Sequence, residues 1–341
     1  MRRYLQLLLA AVVLLTVAGF ASSAYAQERE IDPNMDRGDR TLPQDSEILP
    51  KVIHRINLRG ADSFDKVGSE VSATGFAAPT GGTGTVGPLR YHNGPLMNTP
   101  VVYIVFYGNW NQTNGSDTAA GQQLIRDYLH NVGGSPYFRL NSTLAASGQP
   151  ISGNVTYGGD TTDTGSLGLS LSDTSVLTAI TNSISAGKLP NDPNGVYFLI
   201  SATNVAETSG FCSQYCGFHT ASNTGVGHIR WSFVGNANRC LNGCAVQTTS
   251  PNGNAGIDAT ISVISHELAE TVTDPDAGNG WFSRSGAENG DLCNFTFGHA
   301  QFQTSNGSFA NLTVGGKNYL VQRLILHTST NDHCMMSSTQ N

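Results

Sequence analysis

Two dense runs of apolar and β-branched residues constrain the fold of this chain more than any other feature. VVYIVFYG at residues 101–108 and GVYFLIS at residues 195–201 each have the length and composition of a buried strand. Two segments between them, residues 116–134 and 172–190, begin with Ser and Asp, continue with a helical apolar pattern and finish with Gly or Pro. Strands that alternate with helices predict an α/β fold, in which helices cover a mixed twisted sheet.

A third strand is predicted from GVGHIRWSFVG at residues 225–235. Its apolar residues, such as Trp231, alternate with polar ones, such as His228, and this is the pattern of a strand with one face in water. We therefore expect this strand at an edge of the sheet. The chain is also rich in Gly, Ser, Asn and Thr, which predicts a loop-rich fold.

The first 26 residues have the pattern of a secretory signal peptide. Arg2 and Arg3 precede an apolar run at residues 5–20, and the run is followed by the cleavage pattern Ala24-Tyr25-Ala26. We expect an exported chain, either extracellular, periplasmic or held in a cell wall, that has no membrane segment after cleavage. The formal net charge is -7, which argues against a nucleic-acid partner because such proteins need a basic surface.

Residues 27–89 differ in composition from the rest of the chain. They are rich in charged residues, contain few aromatic ones and finish in the Gly-rich run APTGGTGTVGP. This composition is typical of a flexible polar leader or a pro-segment. Residues 90–341 are long enough for one large domain.

All six cysteines lie in the second half of the chain. Because an exported protein folds in an oxidising compartment, we expect three disulfides that staple the domain. A structural zinc ion held by the two C-x-x-x-C pairs is the alternative. Proximity along the chain predicts the pairs Cys212–Cys216, Cys240–Cys244 and Cys293–Cys334.

An amphipathic helix is predicted over residues 258–273. Asp258 is a good N-cap, and Pro275 cannot continue the helix. Apolar residues recur at the helical period and form one stripe, and His266 and Glu270 lie one turn apart on the nearly opposite face. The stripe consists of Ile257, Ile261, Ile264, Leu268 and Val272.

The polar face of this helix has the spacing of a zinc-hydrolase motif. His-Glu-x-x-Glu at residues 266–270 resembles H-E-x-x-H, in which two side chains one turn apart bind one zinc ion. We expect His266 and Glu270 as metal ligands and Glu267 as the general base that activates a zinc-bound water. An ordinary solvated polar face is the competing interpretation.

A cluster of carboxylates downstream favours a cation site. Six acidic residues fall between Glu267 and Asp291 with Arg284 as the only basic one, and clustered carboxylates are commonly balanced by a cation. The third zinc ligand is expected to be Glu288 or Asp291 on a later element, or else Asp276, ten residues past His266.

Calcium is the alternative cation, because an all-oxygen ligand shell suits it. The segment DPDAGNGW does not fit an EF-hand, however, since Asn279 stands at the loop position where Gly is needed. The two remaining histidines of interest, His219 and His228, are expected to be structural or exposed rather than ligands.

Several segments together resemble the phosphate-induced protein 1 (EXORDIUM-like) family, of the microbial type with an HExxE segment. They are YHNGPLMNTPVVYIVFYGNW, GGSPYF, GFCSQYCGFHT, VGNANRC, SPNGNAGID and SHELAETVTDPDAGNGWFSRSGAENGDLC, between Tyr91 and Cys334. The resemblance implies an exported protein, associated in plants with the cell wall, but no particular catalytic activity.

Two functions therefore compete. The first is a secreted, zincin-like, zinc-dependent hydrolase of the peptidase type, with a peptide or a cell-wall polymer as substrate and, in one variant, a leader at residues 27–89 that covers the cleft. By analogy with zincins, the strand at residues 225–235 would be the substrate-binding edge. The second is a non-catalytic extracellular or cell-wall protein, in which the acidic cluster is structural or holds a structural cation.

Overall fold

A computed structural model describes residues 88–340 and the backbone of a short strand at residues 54–57. The predicted signal peptide, residues 1–26, and the rest of the predicted leader up to residue 87 lie outside the described residues. No helix in the described part combines the length and apolar character that a membrane span requires.

Four α-helices and sixteen short or medium strands make up the described fold. The helices are α1 (Ala119–Val132), α2 (Asp173–Ser185), α3 (Leu241–Cys244) and α4 (Ala255–Thr273), with 3₁₀ turns at Phe138–Leu144, Ala237–Arg239 and Asp291–Cys293. The strands are β1 (His54–Asn57), β2 (Arg90–Tyr91), β3 (Val101–Tyr107), β4 (Thr156–Asp163), β5 (Ser170–Leu171), β6 (Gly195–Ser201), β7 (Ala206–Glu207), β8 (Tyr215–Thr224), β9 (Gly227–Gly235), β10 (Trp281–Phe282), β11 (Phe302–Gln303), β12 (Phe309–Ala310), β13 (Leu312–Val314), β14 (Lys317–Tyr319), β15 (Leu324–His327) and β16 (Asp332–Met335).

A six-stranded mixed sheet in the order β1-β8-β9-β6-β3-β4 forms the centre of the fold. Strands β4, β3, β6 and β9 run parallel to one another. Strand β8 is antiparallel to β9, and β1 is antiparallel to β8. The expected α/β fold with a mixed sheet and covering helices is confirmed. The two apolar runs used to predict it are β3 and β6, and both are almost fully buried.

The prediction that residues 225–235 form an edge strand is wrong. Strand β9 lies inside the sheet, between β8 and β6. Cross-strand partners share a face of a sheet, and Ser232 of β9 is the partner of His219 on β8. Both side chains are fully buried. The alternation in β9 therefore distinguishes an aromatic core face from a polar but covered face, and only the start of the strand, at His228, is exposed.

Helix α4 lies at the centre of the molecule and is buried on nearly every side. Asn254, rather than Asp258, is its N-cap and accepts a hydrogen bond from the backbone N–H of Ile257. The helix ends at Thr273, before Pro275, as predicted. Because the polar face is buried along with the apolar stripe, the interpretation of His266 and its neighbours as solvated side chains is wrong.

Three disulfides staple the domain, but two of the predicted pairings are wrong. Cys293–Cys334 is confirmed. The other two bonds are Cys212–Cys240 and Cys216–Cys244, each closing a separation of 28 residues. They join the start of β8 to the short helix α3 and the turn before it. Since all four cysteines are in disulfides, they do not form the alternative zinc site.

Candidate metal centre

Helix α4 supplies three polar side chains to one buried site. His266, Glu267 and Glu270 are each fully buried. His266 and Glu270 are one helical turn apart, and His266 Nε2 lies 3.0 Å from Glu270 Oε1. The predicted pair of ligands therefore meets at one point, as the HExxE spacing requires.

Strand β8 adds a second histidine, His219, which is not among the ligands predicted from the sequence. His219 is fully buried, and its Nε2 lies 3.5 Å from Glu270 Oε2 and 3.1 Å from Glu288 Oε2. His219 is therefore not exposed, and its closeness to two carboxylates adds it to the candidate site. His219 joins the site because β8 packs against α4, and the sequence does not predict this tertiary contact. The nearest sequence signal for the burial of His219 is the alternation in the neighbouring strand β9.

The loop after β10 closes the site from the other side. Asp291 Oδ1 lies 3.6 Å from His266 Nε2, and the backbone N–H of Asp291 donates to Glu270 Oε1 at 2.9 Å. The backbone N–H of Glu288 donates to Asp291 Oδ2, which fixes the turn between them. Gly290 lies against the His266 ring: a Cβ there would be 2.6 Å from its Cγ.

Asp276, the other candidate third ligand, lies elsewhere. Its Oδ1 is 2.8 Å from His228 Nε2 and 3.3 Å from Arg230 Nε, both on β9. It belongs to neither of the two potential ligand groups in the described part of the chain. Its partners explain its position, because the positive charge of Arg230 offsets the carboxylate at a partly exposed site.

Glu267 is the residue whose burial most needs an explanation. Among the residues that the structure describes, neither of its carboxyl oxygens has a hydrogen-bond partner. Burying such a group costs free energy unless something pairs with it. It points toward β8, since a Cβ placed on Gly217 would lie 3.1 Å from Glu267 Oε1.

The site is strongly coupled electrostatically. Burial raises the pKa of Glu267 well above its ordinary value; His266 opposes this shift, while Glu270, Asp291 and Glu288 reinforce it. Burial also raises the pKa of Glu270. For His266, burial lowers the pKa, but the nearby carboxylates, led by Glu270, outweigh burial and raise it well above the ordinary range.

The donor atoms fall into two overlapping groups that share Glu270. His219, Glu267 and Glu270 form one, and His266, Glu270 and Asp291 form the other. Within each group the potential ligand atoms lie within 4.8 Å of one another. Imidazole nitrogens mixed with carboxylate oxygens are a ligand set that zinc accepts. The residues present therefore fit a zinc ion, and the unpartnered carboxyl of Glu267 lies beside the place where it would bind.

Comparison with known proteins identifies the family of this chain. The model of the phosphate-induced protein 1 conserved region matches residues 89–334. Protein EXORDIUM-like 3 of Arabidopsis thaliana is 29% identical over 280 residues, which cover 70% of this chain and 80% of that protein. Protein EXORDIUM-like 5 of the same plant is 28% identical over 277 residues, covering 69% and 74%. No solved structure matches the chain significantly. The chain belongs to the phosphate-induced protein 1 family.

Proposed function

We propose that the protein is a secreted, zinc-dependent hydrolase of the peptidase type, with a site arranged as in zincins. The observation that carries the proposal is the convergence of the buried His266 and Glu270 with the half-buried Asp291, while the Glu267 carboxyl beside them has no hydrogen-bond partner among the described residues. A structural role alone gives no reason to bury a carboxyl group without a partner. The disulfides are compatible with an oxidising, extracellular location.

Each residue of the site has a role in this proposal. His266, Glu270 and Asp291 would hold the metal. His219 would either orient Glu270 and Glu288 or bind the metal in place of one of the three ligands. Zinc bound there supplies Lewis-acid chemistry and lowers the pKa of a water molecule. Glu267 accepts a proton from the attacking water and passes it to the leaving amine. Burial raises the pKa of Glu267 in the metal-free site, and a carboxylate with a raised pKa suits a general base.

Glu270 distinguishes this site from a three-imidazole or two-imidazole peptidase site. A carboxylate in place of the second histidine of H-E-x-x-H adds negative charge next to the metal, which lowers its Lewis acidity. His219 lies 3.5 Å from that carboxylate, and a hydrogen bond from it would withdraw part of the negative charge. We therefore expect turnover that is slower than that of peptidases with two motif histidines.

Metal content is the first test. Mass spectrometry of protein purified without chelator should find about one zinc per chain in the wild type and little in His266→Ala. His228→Ala is the matched control, because His228 is an exposed histidine that pairs with Asp276 outside the site. A wild type without zinc, even after dialysis against zinc, would contradict the proposal, and calcium would then be tested in the same way.

Turnover is the second test and separates an enzyme from a protein with a structural cation. Glu267→Gln should keep the zinc and lose turnover of a quenched-fluorescent peptide library, by roughly 10²-fold or more. If the wild type binds zinc but cleaves no library peptide, the non-catalytic extracellular or cell-wall protein becomes the better hypothesis. A wall polysaccharide is the next substrate class to test in that case.

A further inference from the structure

The edge of the sheet beside the candidate metal centre is occupied by a strand from the predicted leader. Strand β1 pairs antiparallel with β8, and His54 is the partner of His219, Arg55 of Phe218, and Ile56 of Gly217. Among the described strands, β1 is the one that pairs with β8 on the side away from β9. The leader therefore reaches the site through backbone pairing.

The register brings β1 level with the proposed catalytic residues. Gly217, opposite Ile56, lies close to Glu267, since a Cβ there would be 3.1 Å from Glu267 Oε1. His219, opposite His54, contacts Glu270. An extended chain in the position of β1 therefore runs past the site, and the absence of a side chain at Gly217 lets β8 and Glu267 lie close together.

We propose that the outer edge of β8, residues 215–219, is the polypeptide-binding edge of this site and that β1 occupies it in the intact chain. The inference rests on the proposed function for its catalytic meaning and assigns the substrate class as an extended polypeptide. The substrate binds antiparallel to β8, with its N-terminal side toward His219 and its C-terminal side toward Tyr215. Binding of this kind takes its affinity from backbone hydrogen bonds and is tolerant of sequence.

This assignment differs from the expectation based on β9. Since β9 lies between two strands, its backbone donors and acceptors are already paired, and it has no free edge to offer. Strand β8 would have an open edge if β1 left. Because β1 is part of the same chain, its high effective concentration keeps free peptides from the edge until the leader is displaced or cut.

A binding experiment tests the inference without depending on catalysis. The full chain carries Glu267→Gln throughout, and the probe is a fluorescein-labelled peptide of residues 50–61. The variant Arg55→Pro/Ile56→Pro removes two consecutive backbone N–H groups, one of which must face β8 in an extended strand. We expect this variant to bind the peptide at least tenfold more tightly than the chain with an intact β1.

Two controls make the result specific. Asp65→Pro/Lys66→Pro places the same change in the leader but outside β1, and should leave peptide binding as weak as in the unmodified leader. A labelled peptide with proline at the positions of Arg55 and Ile56 should fail to bind. Equal binding of the normal peptide to all three chains, or binding to none of them, would overturn the assignment.

A second measurement keeps the inference testable if the proline variant folds poorly. A site-specific protease sequence replaces residues 81–85, and the otherwise wild-type chain is cut after folding and disulfide formation. We expect hydrogen exchange at residues 215–219 to accelerate at least tenfold after cutting and dilution, and to slow again when the peptide of residues 50–61 is added. Unchanged protection would overturn the inference, whereas loss of edge protection without any peptidase activity would retain the edge and reject only the proposed function.

Discussion

Glu267 has the central role in the proposed chemistry, and its burial has a cost in stability. It is fully buried, and neither oxygen has a hydrogen-bond partner among the described residues. Glu207 offers a natural comparison, because it is also buried but accepts hydrogen bonds from the backbone of Ser209 and from the hydroxyl of Tyr215. The chain thus contains one buried glutamate whose hydrogen bonds explain its burial, Glu207, and one whose burial they do not explain, Glu267.

We predict opposite effects of the same substitution at these two positions. In the metal-free protein, Glu267→Met should raise the free energy of unfolding by about 1–2 kcal/mol, because it removes an unpaired polar group at similar volume. Glu207→Met should lower it by about 1–3 kcal/mol, because it leaves donors unpaired. Chemical denaturation in EDTA measures both. A loss of stability in both variants would indicate a structural role for Glu267.

Gly290 limits the position of the His266 ring, a proposed metal ligand, because it has no side chain. Its backbone has ordinary helical angles, which alanine can adopt without strain. The added Cβ, however, would lie 2.6–2.8 Å from three atoms of the His266 ring. We predict that Gly290→Ala displaces the ring and lowers zinc affinity at least tenfold with a small effect on folding. Gly225→Ala, whose Cβ would have no atom within 4 Å, is the control. Competition titration with a fluorescent chelator measures the affinity, and equal values would refute the ring displacement.

At the scale of elements, the turn after α4 connects the helix to the metal centre. Asp274 accepts hydrogen bonds from the backbone N–H groups of Gly278, Asn279 and Gly280, and so fixes the turn that follows Pro275. Burial and, next, the negative charge of Glu288 raise the pKa of Asp274 from 3.8 to about 6, although the three donors lower it. The pKa of Asp274 therefore depends on the charge of the candidate metal centre.

This coupling gives a pH prediction with a defined sign. Because the folded-state pKa of Asp274 exceeds the unfolded one, the folded protein binds more protons between pH 3.8 and about 6, and this group destabilises the fold as pH rises through that window. Zinc next to Glu288 would offset part of its negative charge, so zinc should lower the pKa of Asp274.

Carboxyl-carbon NMR titrations with and without zinc measure this shift. Asp163, which lies away from the site, is the internal control. Burial raises its pKa, but hydrogen bonds from Ser166 and Gly165 outweigh burial and lower it. Zinc should leave its titration unchanged. If zinc moves neither residue, Glu288 does not respond to the metal, and the proposed position of the ion would have to change.

For the molecule as a whole, local patterns predicted the elements but not their tertiary relations. Strands β3 and β6 and the end of α4 before Pro275 follow from a few neighbouring residues, and the structure confirms them. The HExxE spacing likewise predicted that His266 and Glu270 would meet. These are short-range consequences of strand composition and helical geometry.

The remaining features depend on contacts between distant segments. His219 joins the site only because β8 packs under α4, and no spacing along the chain encodes that contact. The Cys212–Cys240 pairing follows from the approach of β8 to the turn before α3, whereas proximity in sequence had suggested neighbours. The position of β9 inside the sheet follows from pairing with β8, and its alternation would look the same at an edge.

A last prediction concerns how the whole molecule exchanges protons for metal. The pKa values of His266 and Glu270 are raised in the metal-free site, the former mainly by neighbouring carboxylates against the effect of burial and the latter by burial. Zinc binds the deprotonated forms of both groups, so in a site where their pKa values are raised a zinc ion competes with protons for them. We therefore expect zinc binding to release protons and zinc affinity to rise with pH, by about tenfold per pH unit for each proton released. Calorimetry in buffers of different ionisation enthalpy counts the protons. His266→Asn should reduce the number by about one while His228→Asn leaves it unchanged, and zinc binding without proton release would show that these residues are not the ligands.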